Sequence, residues 1–323
     1  MRRRLAVISI VFLVALTAMA LGPRPVIDET IRFDPATIGS DLDAWLAQRE
    51  SAVAKLKDGA QKEIVWADPA AKARTPLAIV SLHGFSATKW EIRPVPDRIA
   101  AELGANLYLA RLTGHGADGE ALAAASMNNW LNDVAEAIAI GERLGDKVLL
   151  VGVSTGGTLA AWAAGKPQLM RNVVGMVLIS PNFELRAASI GLLNMPWGQE
   201  ILPRVFGDTR SFEPVNEAHG KWWTTRYPSE AVFPMAALLK VTKDQDEENL
   251  ALPALVFVSP RDKVVDPGTT RRKFAQWGGP SELVEITNAG DPYQHVIAGD
   301  ILSPGTTEAV VKRIVDWAGS LAD

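Results

Sequence analysis

Runs of consecutive apolar residues alternate along the chain with segments whose apolar residues recur at helical spacing. The apolar runs lie at 77–82, 106–112, 147–153, 173–180, 254–258 and 282–287. Amphipathic segments lie between or after them at 95–103, 129–144, 269–277 and 306–321. Strands that are apolar on both sides are typical of a parallel sheet covered by helices on both faces. The pattern therefore predicts an α/β fold with a mostly parallel central sheet.

This alternation stops after the fourth apolar run and resumes with the fifth. The intervening segment, 183–251, has no comparable run and is rich in aromatic residues and proline. We interpret it as a helical cap inserted into a core formed by 61–182 and 252–323. Among its aromatic residues, Trp197 and Trp222 are candidates for contacting a bound substrate.

The N-terminal segment 1–21 combines three arginines with an uninterrupted apolar run. Such a segment is typical of a signal peptide or a membrane anchor, and the small residues at 18–20 fit a cleavage site. In both cases the arginines stay inside and the rest of the chain is exported, to the periplasm or to the outer face of a membrane. Residues 22–60 are predicted to form a tether followed by an amphipathic helix over 41–56.

Composition and charge exclude several classes of partner and site. The 323 residues carry a net charge of −4, which argues against a nucleic-acid partner. The chain has no cysteine, which excludes disulfides and thiolate metal sites, and its four histidines lack metal-ligand spacing. We expect no metal and no cofactor, and nothing in the sequence indicates an oligomeric state.

A glycine-rich turn directly follows the run at 147–153. It reads Gly152-Val153-Ser154-Thr155-Gly156, and a segment of helical composition comes next. G-x-S-x-G between a strand and a helix is the pattern of a nucleophile elbow, in which the glycines let strand and helix pass closely. The Ser154 hydroxyl is therefore predicted to stand clear of the sheet. A simple Gly/Ser turn after a buried strand is the alternative.

A serine nucleophile needs a base within hydrogen-bond reach and a third group that orients the base. Ser154, Asp262 and His295 follow three different predicted strands, whose carboxyl ends meet at one edge of a parallel sheet. We predict His295 as the base and Asp262 as the orienting acid. Asp266 and Asp291 are the alternative acids. Asp262 is favoured because it lies three residues past Ser259 at the strand end, whereas Val264 and Val265 should turn Asp266 away.

Acyl transfer also needs N–H donors for the oxyanion that forms on the carbonyl carbon. Thr155, directly after the nucleophile, supplies one N–H. His83-Gly84-Phe85, after the run at 77–82, supplies a second from Phe85. His83 is then predicted to be structural, with a hydrogen bond beneath the loop, and His219 is expected at the surface of the cap.

The segment Gly114–Gly119 matches the dinucleotide pattern G-x-G-x-x-G. Two strands and a helix precede it, whereas a dinucleotide turn follows the first strand of its unit and enters a helix directly. We interpret the segment as a loop beside the substrate entrance.

Taken together, these motifs resemble the α/β-hydrolase superfamily, in particular its group of carboxylesterases, monoacylglycerol lipases and serine-aminopeptidase-like proteins with a small cap. The residues that carry the resemblance are His83-Gly84-Phe85, Gly114-His115-Gly116, the Ser154 turn, Asp262 and His295. The resemblance covers roughly residues 60–320 and implies a serine hydrolase that works through an acyl-enzyme without a cofactor.

Carboxylic esters of modest acyl length are the expected substrates, because the cap is aromatic and no charged pocket motif is present. One alternative is a monoacylglycerol lipase or lysophospholipase that acts at a bilayer, with the N-terminal segment as its membrane attachment. Another is a hydrolase fold that binds a ligand without catalysis.

Overall fold

The structure is a computed structural model that describes residues 2–186 and 190–321. Its strands are β1 (Glu63–Val65), β2 (Thr75–Leu82), β3 (Asn106–Leu109), β4 (Gly145–Val153), β5 (Val173–Ile179), β6 (Thr209–Ser211), β7 (Arg226–Pro228), β8 (Ala254–Val258) and β9 (Ser281–Glu285). Its α-helices are α1 (Arg2–Leu21), α2 (Leu42–Ser51), α3 (Val95–Leu103), α4 (Gly119–Ala123), α5 (Met127–Leu144), α6 (Thr155–Ala164), α7 (Ile190–Leu193), α8 (Gly198–Phe206), α9 (Glu217–Trp222), α10 (Phe233–Lys243), α11 (Pro267–Ala275) and α12 (Pro304–Gly319).

Seven strands form one sheet in the order β1-β3-β2-β4-β5-β8-β9. β1 runs antiparallel to β3, and the other neighbouring strands are parallel. The prediction of a mostly parallel central sheet is therefore confirmed. β4 lies in the middle, between β2 and β5, so the turn that follows it is flanked by strand ends on both sides.

Successive residues of β4 belong to two different cores. Leu149 and Val151 pack with residues of α3 and α12 on one face of the sheet. Val148 and Leu150 pack with residues of α5 and α6 on the other. All four side chains are fully buried. Because the strand is covered on both faces, its sequence is continuously apolar rather than alternating.

Between β5 and β8 the chain leaves the sheet. It forms helices α7 to α10 and a separate two-stranded sheet in which β6 and β7 pair antiparallel. The sequence predicts the helices here but not the small sheet, because strands of three residues leave no recognisable apolar run. α10 packs against α6 and buries Phe233, Ala236 and Leu238.

The N-terminal helix α1 stands apart from both cores and is exposed along its length. Its span Arg3–Leu21, with a mean hydropathy of 2.4, is the one helix in 2–186 and 190–321 that is long and apolar enough to cross a membrane. A signal sequence has the same character. The segment after it lies on the helical layer: Asn132 of α5 accepts the N–H groups of Arg32 and Phe33 at 2.6 and 2.8 Å.

Candidate active site

Ser154 occupies the turn between β4 and α6 in a backbone conformation that L-amino acids rarely adopt. Its φ is 50° and its ψ is −116°, and a strained conformation of this kind costs of order 1–3 kcal/mol. Neighbouring strands hold it in place. The Ser154 N–H donates to the Ile179 carbonyl of β5 at 2.9 Å, and the Ser154 carbonyl accepts the Asn182 N–H at 3.1 Å.

The two glycines of the turn are required by close backbone packing. A Cβ atom on Gly156 would lie 2.2 Å from the Leu82 carbonyl oxygen of β2, and one on Gly152 would lie 2.6 Å from the Gly156 oxygen. No side chain fits at these distances. The G-x-S-x-G spacing thus lets α6 begin directly against β2 and β4, with the serine between the two glycines.

Three side chains that are distant in the sequence meet beyond the ends of β4, β8 and β9. His295 Nε2 lies 3.0 Å from Ser154 Oγ, and His295 Nδ1 lies 2.8 Å from Asp262 Oδ2. All three residues are buried. In this arrangement an imidazole can take the hydroxyl proton while the carboxylate holds its tautomer and stabilises the resulting cation.

Asp262 and Asp266, the two candidate acids after β8, have separate partners. The second oxygen of Asp262 accepts the N–H groups of Val264 and Val265 at 2.7 and 2.9 Å, which fixes the carboxylate toward His295. Asp266 caps helix α11 and accepts the Gly268 N–H at 3.1 Å. The structure therefore brings Asp262, and not Asp266, to His295.

Asp291, the third candidate acid, contacts the backbone that carries His295 rather than its ring. Its carboxylate accepts the N–H groups of Tyr293, His295 and Val296, each at 3.0 Å. It is 2 % exposed. This triple contact holds the loop after β9 in shape, so Asp291 supports the position of the imidazole. Sequence reasoning placed Asp291 among the acids but did not reveal this contact.

The surroundings of His295 favour its protonated form. Burial lowers the pKa of the imidazole, but the hydrogen bond and charge of Asp262 outweigh burial and raise the pKa above its ordinary value of 6.5. Glu91 and Asp291 add to this effect. His295 therefore binds a proton more tightly than a histidine with the ordinary pKa of 6.5.

The two residues predicted to supply oxyanion donors lie near Ser154: Thr155 follows it directly, and Phe85, in the loop after β2, lines the same cavity. Thr155 is the first residue of α6, so its N–H has no partner within the helix. The carbonyl of Gly84, in the loop, accepts a hydrogen bond from His83 Nδ1 at 2.8 Å. Because a trans peptide is planar, this bond fixes the Phe85 N–H on the opposite side of the same peptide.

His83 is a buried structural histidine. Its Nε2 accepts the Leu112 N–H at 3.1 Å, so the proton sits on Nδ1. Burial lowers the pKa of His83 to about 4, which keeps it neutral. The loop at 114–116 lies beneath it, with the His115 ring 4.9 Å from that of His83. This loop therefore supports the Phe85 loop from below, whereas the sequence interpretation placed it beside the substrate entrance.

A cavity of about 430 Å³ opens onto Ser154 and His295. Among the described residues its wall is mainly apolar. The apolar lining residues include Phe85, Leu185, Leu193, Leu202, Phe206, Phe212, Trp223, Tyr227, Val232, Met235, Val264, Val296 and Leu302. Most of these come from the segment between β5 and β8, so this segment shapes the space that a substrate would fill.

Neither of the two predicted substrate-contacting tryptophans lines this cavity. Trp197 is 38 % exposed and its indole N–H donates to the Ala18 carbonyl of α1 at 2.8 Å. Trp222 stacks on Trp90 with ring centroids 4.9 Å apart. Trp223, the next residue, lines the cavity instead. Composition indicated an aromatic wall but could not distinguish Trp222, the last residue of α9, from Trp223, which follows the helix.

Two polar residues of the cavity wall were not predicted. His219 was expected at the surface but is 6 % exposed, and its Nδ1 accepts the Val215 N–H at 3.0 Å. Glu91 is 3 % exposed and follows the Phe85 loop by six residues. No motif marks either position. Within 2–186 and 190–321 no three His, Asp or Glu side chains are grouped to hold a metal ion.

Comparison with known proteins places these features in a family. The pattern of the alpha/beta hydrolase family matches residues 79–299. A thermostable monoacylglycerol lipase from Bacillus sp. (strain H-257) is 26% identical over 253 residues, which are 78% of this chain and 96% of that protein.

Solved structures are similar over most of the chain. One comes from work on LipS and LipT, two metagenome-derived lipolytic enzymes, with a TM-score of 0.67 and 20% identity over 82% of this chain and 99% of that one. Another is the monoacylglycerol lipase of Paleococcus ferrophilus, with a TM-score of 0.57 and 16% identity over 80% and 98%. These likenesses concern the fold.

The family match begins in β2, includes the Ser154 turn and Asp262, and ends beyond His295. It covers well over half of the 323 residues. The chain therefore belongs to the α/β-hydrolase family and is a hydrolase.

Proposed function

We propose that this protein cleaves carboxylic esters through an acyl-enzyme formed on Ser154. The observation that carries the proposal is the unbroken hydrogen-bond chain from Asp262 through His295 to Ser154, buried at the end of the cavity. In this proposal 61–182 and 252–323 form the catalytic core and 183–251 form a cap that selects the acyl group.

The reaction follows from the roles that these groups can take. His295 Nε2 accepts the Ser154 proton as Oγ attacks the ester carbonyl carbon, and Asp262 stabilises the imidazolium. The N–H groups of Phe85 and Thr155 hold the negative oxygen of the tetrahedral intermediate. The intermediate collapses, the alcohol leaves with the proton from His295, and a water molecule hydrolyses the acyl-enzyme by the same route.

The cavity favours an apolar acyl chain over a peptide. Its wall is dominated by aliphatic and aromatic side chains from the cap, such as Leu202, Val232 and Met235. Burying a methylene group in such a wall contributes about 0.8 kcal/mol. The similarity to a monoacylglycerol lipase supports an ester substrate of this kind.

A panel of nitrophenyl esters from acetate to dodecanoate tests the proposal. Ser154→Ala should lower kcat by roughly 10⁵-fold or more for every ester, because the nucleophile is removed. Ser51→Ala, at an exposed serine at the end of α2, is the matched control and should behave as wild type. Equal turnover by wild type and Ser154→Ala would contradict the proposal. A folded wild type that cleaves no ester would favour the ligand-binding alternative.

A second candidate, a lipase that acts at a membrane surface, is favoured by the contact between α1 and the cap. The Trp197 indole N–H donates to Ala18 in the last turn of α1, and the Trp197 backbone N–H donates to Pro23 at 2.8 Å. Tryptophan is enriched at the level where a membrane helix meets water. Beside it, Val205 and Phe206 of α8 are 64 % and 50 % exposed.

If α1 is retained as an anchor, these apolar side chains would rest on the outer leaflet. The arginines at the start of α1 would then lie inside and the cavity outside. Activity of the full chain should rise when a substrate passes from monomers to micelles, and Val205→Ser should reduce that rise without changing activity on monomers. Equal activity on both forms of substrate would favour the soluble esterase.

A further inference from the structure

Glu91 is a buried carboxylate beside the site to which the reaction above gives no role. It ends the 3-10 helix Lys89–Glu91 and lines the cavity. Its Oε2 accepts the Gly84 N–H at 2.6 Å, and no other described side chain or backbone group donates to the carboxylate. Burying a carboxylate with one hydrogen bond is costly, so a contribution to stability does not account for it.

The contact with Gly84 connects Glu91 to the predicted oxyanion donor. Gly84 joins two peptide groups: one donates its N–H to Glu91, and the other directs its carbonyl to His83 Nδ1 and carries the Phe85 N–H. A glycine between two unrestrained peptides rotates more freely than any other residue. With both peptides held by side chains, the direction of the Phe85 N–H is fixed.

Only a glycine fits between Glu91 and the nucleophile. A Cβ atom on Gly84 would lie 2.8 Å from Glu91 Oε1 and 3.1 Å from Ser154 Cβ. Those two atoms are therefore within about 6 Å of each other. Because Gly84 has no side chain, this close approach is possible, but the backbone at Gly84 is also free to adopt more conformations. The hydrogen bond to Glu91 restricts that freedom.

The charge of Glu91 also reaches the base. Glu91 lines the same cavity as His295, Asp291 and His219, and the charges of His295 and Asp291 act on its carboxyl group. Burial raises the pKa of Glu91 to about 7. The carboxyl group is therefore mostly ionised above that pH and mostly neutral below it. That charge adds to the effect of Asp262 in favouring protonated His295.

We propose that Glu91 is a positioning residue that holds the Phe85 N–H toward the oxyanion through Gly84 and, when ionised, stabilises the His295 cation. The inference rests on the proposed function, because it concerns the same oxyanion and the same base. It assigns a role to a residue outside the Ser154, His295 and Asp262 set.

Two substitutions separate the hydrogen bond from the charge. Glu91→Leu removes both, and it should lower kcat about thirtyfold while KM changes less than twofold, because the Phe85 N–H acts only on the transition state. Its affinity for an alkyl boronic acid, which binds serine as a tetrahedral anion, should fall by a similar factor. Glu91→Gln keeps an acceptor for Gly84, so its kcat at high pH should stay within about threefold of wild type.

The pH profile of Glu91→Gln gives the second measurement. Without the Glu91 charge the pKa of His295 falls, so the acid limb of kcat/KM should move to lower pH. Glu102→Gln, at an exposed carboxylate of α3, is the control and should leave the limb in place.

Variants that match wild type in kcat, boronate affinity and pH profile would overturn the inference. Equal losses of kcat in both variants with an unmoved pH limb would also overturn it, because they would indicate a structural role. If Glu91→Leu does not fold, the limb of Glu91→Gln decides. Wild-type labelling at Ser154 by a fluorophosphonate separates failure of this inference from failure of the proposed function, which would show as an unlabelled serine.

Discussion

The turn after β4 and the cap that faces it across the cavity are built in opposite ways. At the turn, backbone meets backbone, and no Cβ atom fits at Gly152 or Gly156. In the cap, side chains form most of the cavity wall, and Val205 and Phe206 of α8 are 64 % and 50 % exposed. If the proposed function holds, we expect the sheet edge to fix the geometry of the reaction and the cap to determine which acyl chains fit.

The largest effect that this comparison predicts is at the acid. Asp262→Asn should lower kcat about 10⁴-fold, because an amide favours the wrong histidine tautomer. Asp266→Asn is a matched control four residues away: it weakens the cap of α11 and should leave kcat within about twofold. Steady-state kinetics on one ester measure both. Similar losses in the two variants would contradict the separate roles that the hydrogen bonds give them.

Adding one methyl group at the turn should affect stability. Gly156→Ala places a Cβ atom against the backbone of β2, so the free energy of unfolding should fall by about 3 kcal/mol. Gly319→Ala, where no atom lies within 4 Å of the added Cβ, should change it by less than about 1 kcal/mol. Denaturant unfolding compares the two, and equal midpoints would show that the turn is less rigid than the distances indicate.

The pH dependence of kcat/KM should be set by His295 at the sheet edge and not by residues of the cap. His295 acts as a base only when neutral, and its pKa lies above 6.5, so kcat/KM should fall about tenfold per pH unit below that raised pKa and level off above it. A cap variant such as Leu202→Ala should show the same acid limb. An activity that stays flat down to pH 5 would exclude His295 as the base.

The smallest predicted effect lies in the cap. Leu202→Ala removes part of the cavity wall, so it should lower kcat/KM about fivefold for octanoate esters and leave acetate esters nearly unchanged. Val205→Ala, on the same helix but not lining the cavity, is the control. A loss of kcat/KM that is equal for both ester lengths would mean that the cap does not discriminate between acyl chains.

The sheet was predictable from the sequence because burial on both faces leaves a continuous apolar run in each central strand. The Ser154 turn was predictable for a related reason, since its glycines are demanded by packing that any such turn must have. The positions of Ser154, Asp262 and His295 after three different predicted strands then indicated that these side chains would meet at one edge of the sheet.

The cap and the supporting polar residues were less predictable. Strands β6 and β7 are too short to leave a pattern. Trp223 follows the end of α9 in an extended backbone conformation, and no local pattern distinguishes it from Trp222, the last residue of the helix. Glu91 and His219 are of polar residue types that are more often exposed than fully buried. Their burial follows from long-range packing, which no local periodicity records.

The most direct test of the central claim is to label the folded wild-type protein with a fluorophosphonate probe and locate the adduct by peptide mass spectrometry. We expect one adduct, on Ser154, formed quickly in wild type and at least a hundredfold more slowly in His295→Ala, since the base activates the hydroxyl. An adduct on a different serine, or equal labelling rates in the two proteins, would contradict the account.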